Sequence, residues 1–308
     1  MSLAARPLIV AIILGLLAGC SDSPEEKLIK EFYGYKTKAN KGDPVAQYNL
    51  GVCYANGYGV ANDKVEAVKW TRKAADQGYA QAQFNLGTYY DNGLGVAKDQ
   101  VEAVKWYRKA ADQGYDKAQY NLGGCYHSGA GVAKNQVEAV KWYRKAADQG
   151  GARFQYNLGI CYAQGYGVEI DQVEAMKWYR KAADQGDAEA QYNLGECYAN
   201  HLSTAYDQVE AVKWCRKAAD QGYFKAQNNL GVYYATGYGV SKDEIEAYAY
   251  YNLAGKTDES ARKNLVILEM KMAANQIAAG QKRTKELQKE IDAEIAAKKA
   301  EDLKKAGK

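Results

Sequence analysis

Few residues of this sequence have the types and spacing that chemistry requires. It has two histidines, His127 and His201. Cys125 and His127 are two residues apart on a predicted helix, so they do not face one another and no zinc site is predicted. Ser260 and Lys263 have the S-x-x-K spacing of a serine nucleophile beside a lysine, but no S-D-N or K-T-G element completes such a site. We therefore predict no catalytic residue, no metal site and no cofactor, and we expect that the chain is not an enzyme.

Cys20 is a candidate for a different chemistry, because it follows an export signal. Arg6 supplies a positive charge, and Leu8 to Leu17 is an apolar run too short for a bilayer, which needs about 20 residues. The ending Leu17-Ala18-Gly19-Cys20 resembles the lipobox of bacterial lipoproteins, which implies a diacylglycerol on the Cys20 thiol and cleavage just before it. An ordinary secretory signal is the alternative. Ser21 in the next position favours the outer membrane.

Most of the chain repeats itself with a period of 36 residues. The tripeptide Asn-Leu-Gly begins at Asn49, Asn85, Asn121, Asn157, Asn193 and Asn229. The tryptophans keep the same spacing at Trp70, Trp106, Trp142, Trp178 and Trp214, with Tyr250 in the sixth place. Such a period is typical of a solenoid whose units bury their apolar faces by stacking on their neighbours.

Each unit contains two predicted amphipathic helices, A and B. Helix B has small or apolar residues at helical spacing, which in one unit are Val101, Ala103, Trp106, Tyr107 and Ala110. Asp99 and Glu102 can cap its first turn reciprocally, and Gly114 follows its end, where a left-handed cap is favoured. Helix A runs from about Lys117 to His127 and closes on a loop with two glycines. In the fifth unit His201 and Ser203 replace those glycines, which predicts a loop of different shape.

The full pattern carries a resemblance to a known family. It reads A-Q-Y-N-L-G-x-x-Y-x-x-G-x-G-V and then D-x-x-E-A-x-x-W-Y-x-K-A-A-x-Q-G, and it resembles the Sel1-like repeat, a helix-turn-helix relative of the tetratricopeptide repeat. The resemblance implies an all-α, right-handed superhelical solenoid of six repeats with helical caps. It also implies a protein that holds other proteins, with no chemistry common to the family.

The register of the repeats divides the chain into four segments. Residues 1–20 are the lipoprotein signal, residues 21–42 a tether and an N-terminal capping helix, and residues 43–258 the six repeats. Residues 259–308 are predicted to form C-terminal capping helices and a Lys/Glu-rich tail. In that tail Leu287, Ile291 and Ile295 lie four apart, on what we expect to be a solvated helix.

Two sets of residues inside the repeats predict packing. A glycine lies within every helix A, at Gly51, Gly87, Gly123, Gly159, Gly195 and Gly231. Each costs about 1 kcal/mol relative to alanine, so we expect close helix contact there, with the indole of the same unit filling the space between A and B. Cys53, Cys125, Cys161 and Cys197 share one position of helix A and are expected to be small buried side chains rather than disulfides.

The charge of the sequence argues against nucleic acid as a partner. The 41 basic and 37 acidic residues leave a net charge of +4, mostly in the tail, so no basic stripe for nucleic acid follows the repeats. We predict protein partners in the cell envelope, membrane attachment through Cys20, no small-molecule substrate and a monomeric chain.

The predicted partner-binding groove lies on the A helices. Residues two before and two after each buried leucine turn away from helix B, and in the related tetratricopeptide repeats these positions line the concave groove. The first position is aromatic in five units, whereas the second varies. The candidate residues are Tyr48, Phe84, Tyr120, His127, Tyr156, Tyr192, Glu196 and Asn228.

The function predicted from the sequence is a protein-binding scaffold that is lipid-anchored in a bacterial cell envelope, at the outer membrane facing the periplasm. It would serve the assembly or regulation of the envelope. An immunity lipoprotein that neutralises a secreted toxin is the alternative, and a hydrolase related to the cell wall is a remote one.

Replacing Cys20 with serine removes the thiol that would carry the lipid. Because several acyl chains hold a protein on a membrane far more firmly than one, we expect Cys20→Ser to move the protein from the membrane fraction to the soluble periplasm. Cell fractionation and immunoblotting measure this change. Unchanged membrane association, or a mature chain that begins after residue 20, would contradict the anchor.

Overall fold

The computed structural model describes residues 23–200 and 207–306, and the regular elements in that part of the chain are all α-helices, as predicted. In chain order they are α1 (Pro24–Ala39), α2 (Pro44–Asn56), α3 (Lys64–Asp76), α4 (Ala80–Asn92), α5 (Gln100–Asp112), α6 (Asp116–Ser128), α7 (Gln136–Asp148), α8 (Ala152–Gln164), α9 (Gln172–Asp184), α10 (Ala188–Ala199), α11 (Gln208–Ala219), α12 (Phe224–Thr236), α13 (Glu244–Ala254), α14 (Glu259–Glu269) and α15 (Ala274–Ala306). The predicted export signal with Cys20 and the irregular loop at His201 to Thr204 lie outside the described residues. Within the described ranges, no helix combines the length and the apolar character that a membrane crossing requires.

The described helices form two compact units, which divide between Ala146 and Ala147. In the first unit α2, α4 and α6 are the predicted A helices, and α3, α5 and α7 are B helices, of which α7 ends in the second unit. The second unit continues with α8, α10 and α12 as A helices and α9, α11 and α13 as B helices. Helix α1 packs on α2 through Phe32 and Ala39, as expected of an N-terminal cap.

One of the two predicted capping bonds is present at the start of helix B. The Asp99 carboxylate accepts the Glu102 amide at 2.9 Å, which is the predicted cap. The Asp99 amide, however, donates to the Tyr90 carbonyl of the preceding helix A at 2.9 Å, and Glu102 pairs with Lys105 instead. The predicted reciprocal bond between Glu102 and the Asp99 amide is therefore wrong, because the short loop brings the Tyr90 carbonyl of helix A to that amide.

Five of the A helices end as predicted, on a glycine in the left-handed conformation: Gly57, Gly93, Gly129, Gly165 and Gly237. The exception is α10, where the residue after Ala199 is Asn200 with an extended backbone, φ −100° and ψ 134°. The second glycine of the loop is needed for a close approach as well. A Cβ on Gly95, whose φ is +69°, would lie 2.1 Å from the Lys64 carbonyl oxygen of the preceding helix B.

The glycine inside helix A lies in close contact with helix B, as predicted, and at four of the six glycines the group that it meets is a tyrosine ring and not the indole: Gly87, Gly123, Gly159 and Gly231. A Cβ on Gly87 would lie 2.7 Å from the Tyr107 ring. Trp106 is buried in a cluster that contains Leu86 of its own helix A and Ala67 and Val68 of the preceding helix B. Adjacent residues differ by about 100° around a helix, so the indole does pack against helix A, but it is the tyrosine beside it that meets the glycine.

A glutamine near the start of each helix A is buried, and in four of these helices it is hydrogen-bonded to the neighbouring helices on both sides. In α4 the Gln83 side-chain amide donates to the Ala75 carbonyl at 3.1 Å, and its oxygen accepts from the Gln113 side chain at 2.7 Å. Ala75 belongs to α3, and Gln113 follows the end of α5. The same pair of bonds is formed by Gln47, Gln155 and Gln191.

The C-terminal segment consists of α14 and α15, and the apolar stripe on α15 is not solvated, contrary to the prediction. Leu287 and Ile291 are buried, and Ile295 is partly buried, in a cluster with residues of α11, α12 and α13. Farther along α15, Lys298 donates from Nζ to the Gly186 carbonyl at 3.1 Å. No seventh repeat follows α13, and α15 covers the apolar face that would otherwise be open to water.

This docking brings carboxylates together at the end of α11. Asp220 follows the last residue of α11, and its pKa is raised to about 6. Burial is the main cause, and repulsion from Glu294 and Glu290 of α15 contributes to the rise, whereas Arg216 lowers the pKa. A carboxyl whose pKa is higher in the folded chain than in the unfolded chain stabilises the fold at low pH. That contribution is lost as the pH rises through about 6.

Gly87 and Gly34 provide a matched pair for testing the contact between helices A and B in the first unit. The Tyr107 ring leaves no room for a methyl group at Gly87, whereas nothing lies within 4 Å of a Cβ on Gly34 in α1. We expect Gly87→Ala to lower the free energy of unfolding by about 1–3 kcal/mol and Gly34→Ala to raise it by about 0.5–1 kcal/mol. Urea unfolding followed by circular dichroism measures both. Equal effects of the same sign would refute the contact.

Asp220→Asn removes the charge that α15 meets at the end of α11. We expect it to raise the free energy of unfolding by about 1 kcal/mol at pH 7.5 and to have little effect at pH 4, where the folded wild type is already protonated at this position. Asp112→Asn, at the corresponding position of α5 in the first unit, is the control and should change stability little at either pH. Urea unfolding at the two pH values tests this. A pH-independent gain would show that the pKa of Asp220 is not raised in the folded chain.

Candidate protein-binding surface

The predicted binding residues all lie on A helices and are partly exposed. In the first unit they are Tyr48 on α2, Phe84 on α4, and Tyr120 and His127 on α6. In the second unit they are Tyr156 on α8, Tyr192 and Glu196 on α10, and Asn228 on α12. The two sets are described separately below.

The aromatic residues of the first unit lean back on other tyrosines instead of turning wholly away from helix B. The Phe84 ring lies 5.9 Å from the Tyr107 ring and 5.3 Å from the Tyr115 ring, measured between centroids. Tyr120 lies 5.5 Å from Tyr143 in the same way. The reason is the glycine three residues later in helix A, which admits the helix B tyrosine next to the aromatic residue.

Asparagines of the Asn-Leu-Gly tripeptides fix some of these rings. Asn85 donates to the Tyr48 hydroxyl of the preceding repeat at 3.3 Å, and in the second unit Asn193 donates to the Tyr156 hydroxyl at 3.4 Å. Burial raises the pKa of Tyr48, and the Asn85 bond opposes part of that rise. Burial and, second, Glu189 raise the pKa of Tyr156 to about 12. These hydroxyls therefore stay protonated and neutral at physiological pH.

Charged groups flank the aromatic residues of the second unit. Arg153 pairs with Glu189 at 2.8 Å, and its guanidinium carbon lies 5.5 Å from the centre of the Tyr156 ring. Glu196 accepts from Asn229 at 2.7 Å. Burial raises the pKa of the Glu196 carboxyl, and the Asn229 bond offsets part of the rise.

Asn228 and His127 are placed differently from the aromatic row. Asn228 accepts at 3.2 Å from Asn264, which shows that α14 continues this face beyond α12. The His127 ring nitrogen Nδ1 lies 2.8 Å from the side-chain oxygen of Gln136, the first residue of α7. His127 is thus held where helix A meets the next helix B.

Several of the potentially reactive side chains are paired or buried. Lys263 pairs with Glu259 at 2.8 Å, and the Ser260 amide donates to the Asp258 carboxylate. The cysteines in the described part of the chain, Cys197 and Cys215 included, are free thiols. Burial raises the pKa of Cys125 and Cys161 to about 11, and raised thiol pKa values make cysteines poor nucleophiles. Among the described residues no group of three His, Cys, Asp or Glu could hold a metal ion.

Two pairs on this surface were missed by sequence reasoning, although the sequence contains their signal. Arg153 and Glu189 are 36 residues apart, and so are Asn228 and Asn264. Residues one period apart occupy the same position of neighbouring repeats and therefore lie side by side. Complementary side chains at that spacing predict a contact between A helices.

Comparison with known proteins identifies the repeat and its relatives. The Sel1 repeat matches residues 44–79, 80–115, 116–151, 152–187, 188–223 and 224–256. A protective antigen present in uropathogenic Escherichia coli strains, which displays an SLR fold, is 35% identical, with a TM-score of 0.78 over 89% of this chain and 59% of that one. A Sel1 repeat protein from Oxalobacter formigenes is 34% identical, with a TM-score of 0.67 over 76% of this chain and 68% of that one. A comparison with curated protein sequences gives no significant match. This chain spans about 59% of the length of the Escherichia coli protein described above.

Proposed function

Since the chain belongs to the Sel1 repeat family, whose members are scaffolds for protein interaction and generally non-catalytic, we propose that it is a lipid-anchored scaffold of the bacterial envelope. It holds a partner protein on the exposed face of its A helices, which we call the A face. The observation that carries this proposal is that, within each unit, partly exposed aromatic residues recur at one position of the A helices, each beside a position whose residue varies. No chemical step is part of the proposal.

The packing of the aromatic rings supports a binding role. Phe84 is held between Tyr107 and Tyr115, and Tyr48 is held by Asn85. A ring that is already fixed loses little conformational freedom when a partner covers it, which raises affinity. Aromatic anchors of this kind dominate many protein interfaces.

The variable position beside each ring supports selectivity. In the first unit this position carries Val52, Thr88 and Gly124, and in the second unit Ile160, Glu196 and Val232. All of these residues are partly exposed. Repeats with the same backbone therefore present different side chains, and specificity is a difference in affinity between partners that such changes create.

The proposed location is supported by the lipobox-like ending at Cys20. Lipid attachment there would hold this chain on the periplasmic face of the outer membrane, with residues 21–42 as the tether and N-terminal cap.

Photo-crosslinking in living cells tests the A face against the B helices. A benzoylphenylalanine replacing Thr88 or Ile160 lies on the A face, whereas one replacing Val101 or Val173 lies on an exposed part of helix B; those valines are 55% and 48% exposed. Each unit thus has its own control. We expect Thr88 and Ile160 to give a discrete adduct with the same envelope protein and the two controls to give none. Adducts at the controls alone would move the partner to the B helices, and the absence of adducts at all four positions would contradict the scaffold.

A further inference from the structure

A small pocket opens between α4 and α6 in the first unit. It has a volume of about 250 Å³ and is lined chiefly by Asp91, Tyr107, Tyr120, Gly124, Ser128 and Tyr143. We call it the Gly124 pocket. Clefts that enclose drug-sized ligands measure about 300–1,000 Å³, so this one has room for a single side chain.

The pocket is open because Gly124 has no side chain. The corresponding residues of the other repeats, Val52, Thr88, Ile160, Glu196 and Val232, all have one. Gly124 is not needed for close packing, since a Cβ there would find only the Tyr143 hydroxyl within 4 Å, at 3.8 Å. This distinguishes it from Gly123, where the Tyr143 ring would lie 2.7 Å from a Cβ.

The charge in the pocket is negative. Asp91 is the last residue but one of α4, and Ser128 is the last residue of α6, so two helix C-termini, which carry partial negative charge, meet here. The opposite end of a third helix, α5, starts at Gln100 in the lining, but Asp99 already caps it. Among the described residues that line the pocket there is no lysine, arginine or histidine. In keeping with this, burial and, second, Asp91 raise the pKa of the lining thiol Cys125.

Tyrosines supply another part of the wall. Tyr107, Tyr120 and Tyr143 all belong to the lining, and an aromatic ring attracts a cation that lies over its face. A planar guanidinium can stack on such rings and pair with a carboxylate at once, which a lysine ammonium does less well.

From this geometry we infer that the Gly124 pocket is a socket for an arginine side chain of the partner protein. The guanidinium binds Asp91 and the C-terminal end of α6, and the aliphatic stem lies against the tyrosine rings. This inference rests on the proposed function, because it assigns one subsite of the A face, and it names the partner chemistry as an exposed arginine.

Titration of the full chain with Nα-acetyl-arginine amide tests the socket. The neutral isostere Nα-acetyl-citrulline amide is the matched ligand control. Binding is measured by NMR from the backbone amide shifts of Gly124 and Ser128. We expect a saturable response to the arginine probe, with a Kd in the millimolar range usual for a single small group, and at least tenfold weaker binding of citrulline. Equal responses to the two probes would overturn the inference.

Two variants separate the pocket from the fold. Gly124→Ile fills the pocket with the residue that α8 carries at this position, and Asp91→Asn removes the charge but keeps an oxygen that can accept from Gln100. We expect each to weaken arginine binding at least tenfold, with the Tm unchanged or raised. Val52→Ile, which places the same residue at the corresponding position two repeats earlier, is the control and should leave arginine binding within twofold. Binding that survives Gly124→Ile would overturn the socket.

The outcome is independent of the crosslinking experiment. Adducts at Thr88 without arginine binding would leave the scaffold in place and remove the socket. Arginine binding at Gly124 without any adduct would show a socket and contradict the scaffold.

Discussion

The buried glutamine side chain of helix A is the interaction on which the other contacts depend. These side chains are only 5% to 6% exposed, and Gln83 bonds to both neighbouring B helices. A buried amide left without a partner costs about 1–3 kcal/mol. Helix A therefore cannot slide along either B helix without losing a bond, and the spacing of three helices is fixed at one point. Repetition of this point along each unit explains why the backbone of one repeat reproduces that of the next.

Fixed spacing leaves little freedom to the residues farther along helix A. At Gly87 the two helices are so close that a methyl group would overlap Tyr107. The tyrosine occupies the place of a side chain, and the aromatic residue of helix A rests against it, as Phe84 does at 5.9 Å. The A face thus depends on buried contacts. The glutamine sets the distance between helices A and B, the glycine leaves room for the tyrosine, and the exposed aromatic ring packs on that tyrosine.

The sequence predicts the helices and their order well, because a period of 36 residues fixes the register of every capping residue and glycine. It predicts less about which of two adjacent residues fills a contact. Trp106 and Tyr107 recur together, and their roles differ only by an angle of about 100° around the helix. Burial of Leu287 and Ile291 was missed because the lysines and glutamates around them suggest a solvated helix. The buried glutamine of helix A was missed because glutamine is mostly exposed in proteins. The Gly124 pocket was missed because residues from four different helices line it.

Identical helices have a consequence for how such a chain can change over time. The 13 residues of α5 and of α7 are the same, QVEAVKWYRKAAD. Genetic recombination between the two coding segments would delete or duplicate 36 residues, one whole repeat, in a single event. Because neighbouring repeats join through the same glutamine, glycine and capping contacts, the new junction would reproduce an existing one. The number of A helices can therefore change in one step, while the exposed side chains at their variable positions change one codon at a time.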